Sequence, residues 1–97
     1  MKRDIILEKA LEYGIGIDLS GYKMEDVRKE FAKHLEKVFC CNAKVDYKHV
    51  SCSFENEKII SILVDKQGVG FESVSNKKEA TKFVAPIVKY FVNKTFY

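Results

Sequence analysis

The stretch 43–54, "AKVDYKHVSCSF", decides how the sequence folds. Apolar residues alternate through Ala43, Val45 and Tyr47, then change parity to Val50, Cys52 and Phe54. Side chains of a strand point to opposite faces in turn, so a parity change needs either a bulge or a tight turn, here near Lys48 and His49. Both readings stay open at this point. What is settled is a period of two, hence β-structure, between segments whose period is closer to four.

Working outward, "KIISILVD" (58–65) sets Ile60, Ile62 and Val64 on one face of a further strand, and its β-branched content suits a pleated surface. "DKQG" reads as a four-residue turn, and "VGFESVS" as a last, shorter strand. On the N-terminal side, residues 23 to 40 carry Met24, Val27, Phe31, Leu35, Val38 and Phe39 at helical spacing, with Glu25, Arg28, Lys29, Glu30, Lys33 and Lys37 between them. On the C-terminal side, Ala80, Phe83, Val84, Ile87, Val88, Phe91 and Val92 form a second helical stripe, opened by Asn76 and Glu79 in a capping-box spacing. Pro86 removes a backbone donor inside it and predicts a kink or a break. A short helix is expected over residues 3 to 13, stopped by Gly14, and "GIGIDLSG" reads as a connector.

The expected order is α-α-β-β-β-α, an α+β fold. A three-stranded antiparallel sheet carries helices packed on one face, because two amphipathic helices both need a surface for their stripes. Residues 1–22 form a helical extension and connector, and 23–97 the domain. At 97 residues, with 46% hydrophobic and 32% charged content, the chain holds one core and not two.

Composition narrows function. The sequence contains no run of eighteen apolar residues, and the charged start "MKRDIILEKALEYG" does not resemble a secretory signal, so a cytoplasmic protein without a membrane partner is expected. Cys40, Cys41 and Cys52 are an odd count, read as reduced and mostly buried thiols. Together with His49 they lack the C-x₂₋₄-C spacing of a zinc site, and no metal or cofactor is expected. No nucleophile and base, carboxylate pair or phosphate-binding glycine loop stands out, so the chain reads as non-enzymatic and without a small-molecule substrate.

Charge is uneven. Residues 1 to 75 hold twelve Lys/Arg against thirteen Asp/Glu, whereas 76 to 97 hold five lysines against one glutamate. Lys77 and Lys78 fall on the first two positions of the last helix, where the peptide dipoles already leave a partial positive charge. Free N–H groups and ammonium groups at one helix end make an anion site, and Lys82, four residues after Lys78, lies on the same side. A solvated lysine cluster serving solubility alone is the bland alternative.

The stretch 64–91, "VDKQGVGFESVSNKKEATKFVAPIVKYF", resembles the C-terminal half of the double-stranded-RNA-binding domain family: a strand ending in Val-Asp, a glycine-containing hairpin, a last strand, and a helix opening with Ser-Lys-Lys-x-Ala. "LEKVFC" (35–40) is similar to the family's first helix, and Tyr47 sits near its first-strand tyrosine. The resemblance implies that Lys77, Lys78 and Lys82 bridge phosphates of double-stranded RNA. It also implies a minor-groove contact from the first helix at Glu36 or Lys37, with Lys33 and His34 beside them. The family's Gly-Pro-x-His loop is replaced by "SFENEK". Some members with such losses no longer bind RNA and serve as protein-interaction modules, so a protein partner or a homodimer is the alternative to RNA.

Overall fold

A computed structural model of the chain describes residues 9–72 and 77–94, and the side chains of all of these except 77–79 and 93–94. The expected cap at Asn76 and Glu79, the first residues of the N-terminal helix and the tail aromatics Phe96 and Tyr97 lie outside that description.

Residues 9–13 are helical (α1). The Gly14 N–H closes this helix on the Ala10 carbonyl at 2.8 Å, with Gly14 at φ 78°, the left-handed conformation that ends helices at low cost in glycine. The elements that follow are β1 (Ile15–Gly16), α2 (Met24–Phe39), β2 (Asn42–Asp46), β3 (His49–Phe54), β4 (Glu57–Asp65), β5 (Gly68–Glu72) and α3 (Lys77–Lys94). The fold is α+β with an antiparallel sheet, but among the described residues the sheet has five strands in the order β1-β5-β4-β3-β2, not three. The expected order α-α-β-β-β-α is corrected to α-β-α-β-β-β-β-α.

Two local events account for the extra strands. The parity change in 43–54 is a tight turn: Asp46 pairs with His49, and Tyr47 adopts φ 55° between them. The stretch therefore makes two paired strands, β2 and β3. A bulge is present as well, but farther on, where the β3–β4 register shifts between Cys52 and Ser53. The second event lies in "GIGIDLSG". Ile15 and Gly16 pair with Val69 and Gly68, and the chain runs on along the β4–β5 turn, with Ile17 N–H on the Gln67 carbonyl and Leu19 N–H on that of Lys66. Leu19 is fully buried, so the connector belongs to both sheet and core.

α2 follows its dipole, with Glu25 and Asp26 in the first turn and Lys37 in the last. It ends at Cys40, which turns left-handed (φ 55°) and returns its N–H to the Glu36 carbonyl at 3.0 Å. α3 runs as one helix through Pro86, so of the expected kink or break the break does not occur.

The inward faces of β3, β4 and β5 supply Val50, Cys52, Ile60, Ile62, Val64, Val69 and Phe71 to one core with Phe31 and Leu35 of α2 and Phe83, Val84, Ile87 and Phe91 of α3. Burying each large side chain stabilises the fold by roughly 1.5–3 kcal/mol. Ring contacts fix how the helices pair. Phe31 meets Phe91 at 4.8 Å between centroids, and Phe39 meets Phe83 at 4.4 Å, so α2 and α3 run antiparallel.

Candidate nucleic-acid interface

The lysines singled out from sequence lie on the helix layer. Lys77 and Lys78 are the first two residues of α3, and their side chains are outside the described set. Lys82 is exposed on the next turn, away from the buried Ala80, Phe83 and Val84. Lys33 and Lys37 of α2 are exposed one turn apart. The antiparallel pairing brings these sets to the same end of the layer. Through the Phe39–Phe83 contact, the last turn of α2, which carries Lys37, lies beside the opening turns of α3, which carry Lys77, Lys78 and Lys82.

Other basic and polar groups on α2 have structural partners. The Glu36 carboxylate accepts the backbone N–H of Ala43 at 3.4 Å, reaching from the helix to the outer side of β2. His34 is half-buried with its ring 4.2 Å from that of Tyr90. Arg28 points inward, where its Nε donates to the Val64 carbonyl at 2.9 Å.

The sheet face away from the helices carries a second polar surface that the sequence reading did not single out. In its register Lys44 pairs with Ser51 and Ser51 with Ser61, while Ser53 pairs with Asn42 and Lys58. A depression of about 580 Å³ opens there, lined in part by Lys44, Asp46, Ser51, Ser53 and Lys58. Farther along, His49 Nε2 lies 2.7 Å from Glu72 Oε2, a contact from β3 to β5 with Leu63 and Ser61 of β4 between them. Polar residues alternating with the core positions of a strand were the available signal.

Cys40 is exposed, and Cys41 and Cys52 are buried. Cys41 Sγ donates to the Leu35 carbonyl at 3.5 Å. Burial raises the pKa of both buried thiols, strongly at Cys52, where the contact with Cys41 raises it further. Among the described residues no group of three or more His, Cys, Asp or Glu side chains is placed to hold a metal ion, and no helix is long and apolar enough to cross a membrane.

No family model matches the chain, and neither a curated protein nor a solved structure matches it.

Proposed function

We propose that the domain is a non-catalytic binder of double-stranded RNA, with its helix layer as the phosphate-contacting face. One observation carries this reading: the antiparallel seating of α2 on α3, through Phe39 and Phe83 at 4.4 Å, groups Lys37 with the lysine-bearing start of α3. A-form RNA keeps its base edges in a deep, narrow groove, so a protein meets it through shape, ribose hydroxyls and phosphates. Rigid helix ends bearing ammonium groups suit phosphates spaced across that groove. The likeness to double-stranded-RNA-binding domains supports the same reading over β4, β5 and α3, where strand, turn, strand and helix follow in the family's order. The additional strands set this sheet apart from that family's three.

The test is duplex-RNA retention in a gel shift at about 50 mM salt, where phosphate contacts are strong. Wild type should retain the duplex and lose it as salt rises. Lys77→Glu with Lys78→Glu should weaken binding by at least about tenfold while the far-ultraviolet spectrum persists, since glutamate suits a helix N-terminus better than lysine. Wild type that shows no salt-sensitive retention would turn the reading to a protein-binding module. Exposed Tyr13 and Tyr47 favour that alternative, because large aromatic surface in water is typical of contact sites.

A further inference from the structure

Among the described residues β2 is the last strand of the sheet, and its outer side faces no other strand. In an antiparallel strand each residue turns its N–H and C=O to one side, and the next residue turns them to the other. The Ala43 N–H points to Glu36, away from β3, so Val45, two residues on, presents its N–H and C=O to the same open edge. Lys44 and Asp46 flank Val45, both exposed and both on the sheet face opposite to it. Natural edges are commonly blunted by charged side chains, lysine above all, by proline or by a bulge. This one carries opposite charges placed symmetrically about a β-branched residue.

We propose that β2 is a homodimerisation edge, pairing antiparallel with β2 of a second copy about a twofold axis at Val45. The symmetry makes the sequence complementary to itself. Val45 exchanges two backbone hydrogen bonds with Val45 of the partner, Lys44 stands opposite Asp46 of the partner, and Asp46 stands opposite the partner's Lys44. Directly opposed residues share a face, so the two ion pairs form together on the open face of the sheet. The half-exposed Val45 side chains (37% each) meet on the helix side, and the exposed Tyr47 at the strand's end approaches the partner's Ala43. Each protomer uses the same patch, the closed arrangement that dominates soluble oligomers. The axis is normal to the sheet, so both helix layers face one way. Because Glu36 already satisfies Ala43, pairing is confined to a short segment, and the dimer is a weak one whose population follows concentration. The proposal stands whether or not the helix layer binds RNA.

Sedimentation equilibrium over a concentration series reaching about 1 mM tests it, that being the range in which weak pairs populate. Wild type should fit a monomer–dimer equilibrium. Lys44→Asp makes the edge wholly acidic and Asp46→Lys makes it wholly basic, and each should lower self-association at least about tenfold. An equimolar mixture of these two variants should regain the dimer, because the acidic edge of one now faces the basic edge of the other. Val45→Pro removes the outward N–H without touching the β3 ladder, and should also leave monomer. Circular dichroism of each variant shows that the fold persists. A wild type monomeric throughout the series, a dimer that survives both charge changes, or a mixture that associates no better than its components would each overturn the proposal.

Discussion

Arg28 Nε donates to the carbonyl oxygen of Val64 at 2.9 Å, joining residues 36 apart in the chain. The bond ties the first half of α2 to the end of β4. The same guanidinium lies 3.9 Å from Asp65 Oδ1, whose other oxygen is 3.5 Å from Lys48 Nζ in the β2–β3 turn. One arginine thus connects helix, long central strand and hairpin turn, with its side chain only 12% exposed. Hydrogen bonds from charged groups contribute about 1.5–3 kcal/mol each. Arg28→Met keeps the packed stem and deletes the bond, so urea denaturation should show a loss of that size. RNA retention by the folded variant should be nearly unchanged, because this cation faces inward.

Asp65 yields a pH prediction. Its carboxylate accepts the Lys66 N–H at 2.8 Å, and this bond, helped by Lys48 and Arg28, holds its pKa below the usual 3.8. A folded value lower than the unfolded one means stability that is present above the unfolded pKa and lost as pH falls through the folded one. Stability should therefore drop below about pH 4. Asp65→Asn should flatten that acid limb in thermal melts recorded between about pH 2 and 5. Asp18, lowered by hydrogen bonds from Ser20, adds to the limb in the same direction, so the flattening is partial.

What the sequence disclosed follows from how local each signal is. The stripes of α2 and α3 and the alternation of β4 sit on contiguous residues, and their period alone specifies the element. β1 has no such signal. Ile15 and Gly16 become a strand because β5 pairs with them and Leu19 is drawn under the core, neither of which is visible within "GIGIDLSG". The turn between β2 and β3 lacks the Asn-Gly or Asp-Gly pair that marks two-residue hairpins, and places Tyr47 at φ 55° instead. The change of parity was its only trace. At the candidate interface, the exposure of Lys33, Lys37 and Lys82 follows from helical spacing, whereas the inward turn of Arg28 depends on a partner 36 residues away.

Gly68 shows how closely β1 is held. It sits at φ 151°, and a Cβ built on it would come 2.1 Å from the Ile15 carbonyl oxygen. No side chain fits against backbone at that distance, so Gly68→Ala must move β1 away from β5. Steric disruption of this kind costs on the order of 2–4 kcal/mol. Hydrogen exchange should localise it, because the amides of Ile17 and Leu19, bonded to Gln67 and Lys66, lose protection before those of β3 and β4.

The thiols should react in two classes. Attack on a disulfide reagent requires the thiolate, so both burial and a raised pKa suppress it. Cys52 is fully enclosed and Cys41 nearly so, and burial raises the pKa of each. Cys40 neighbours Cys41 in sequence but stands in solvent, because its left-handed turn at the end of α2 directs the next residue into the core. An aromatic disulfide reagent at pH 8 should therefore modify one thiol per chain quickly, with Cys40→Ser abolishing that phase. Cys41 and Cys52 should follow at the rate at which the core opens, and both should speed up together in Gly68→Ala if release of β1 loosens the sheet as a unit. A fast phase that persists in Cys40→Ser would mean that a buried thiol is reached without opening the core.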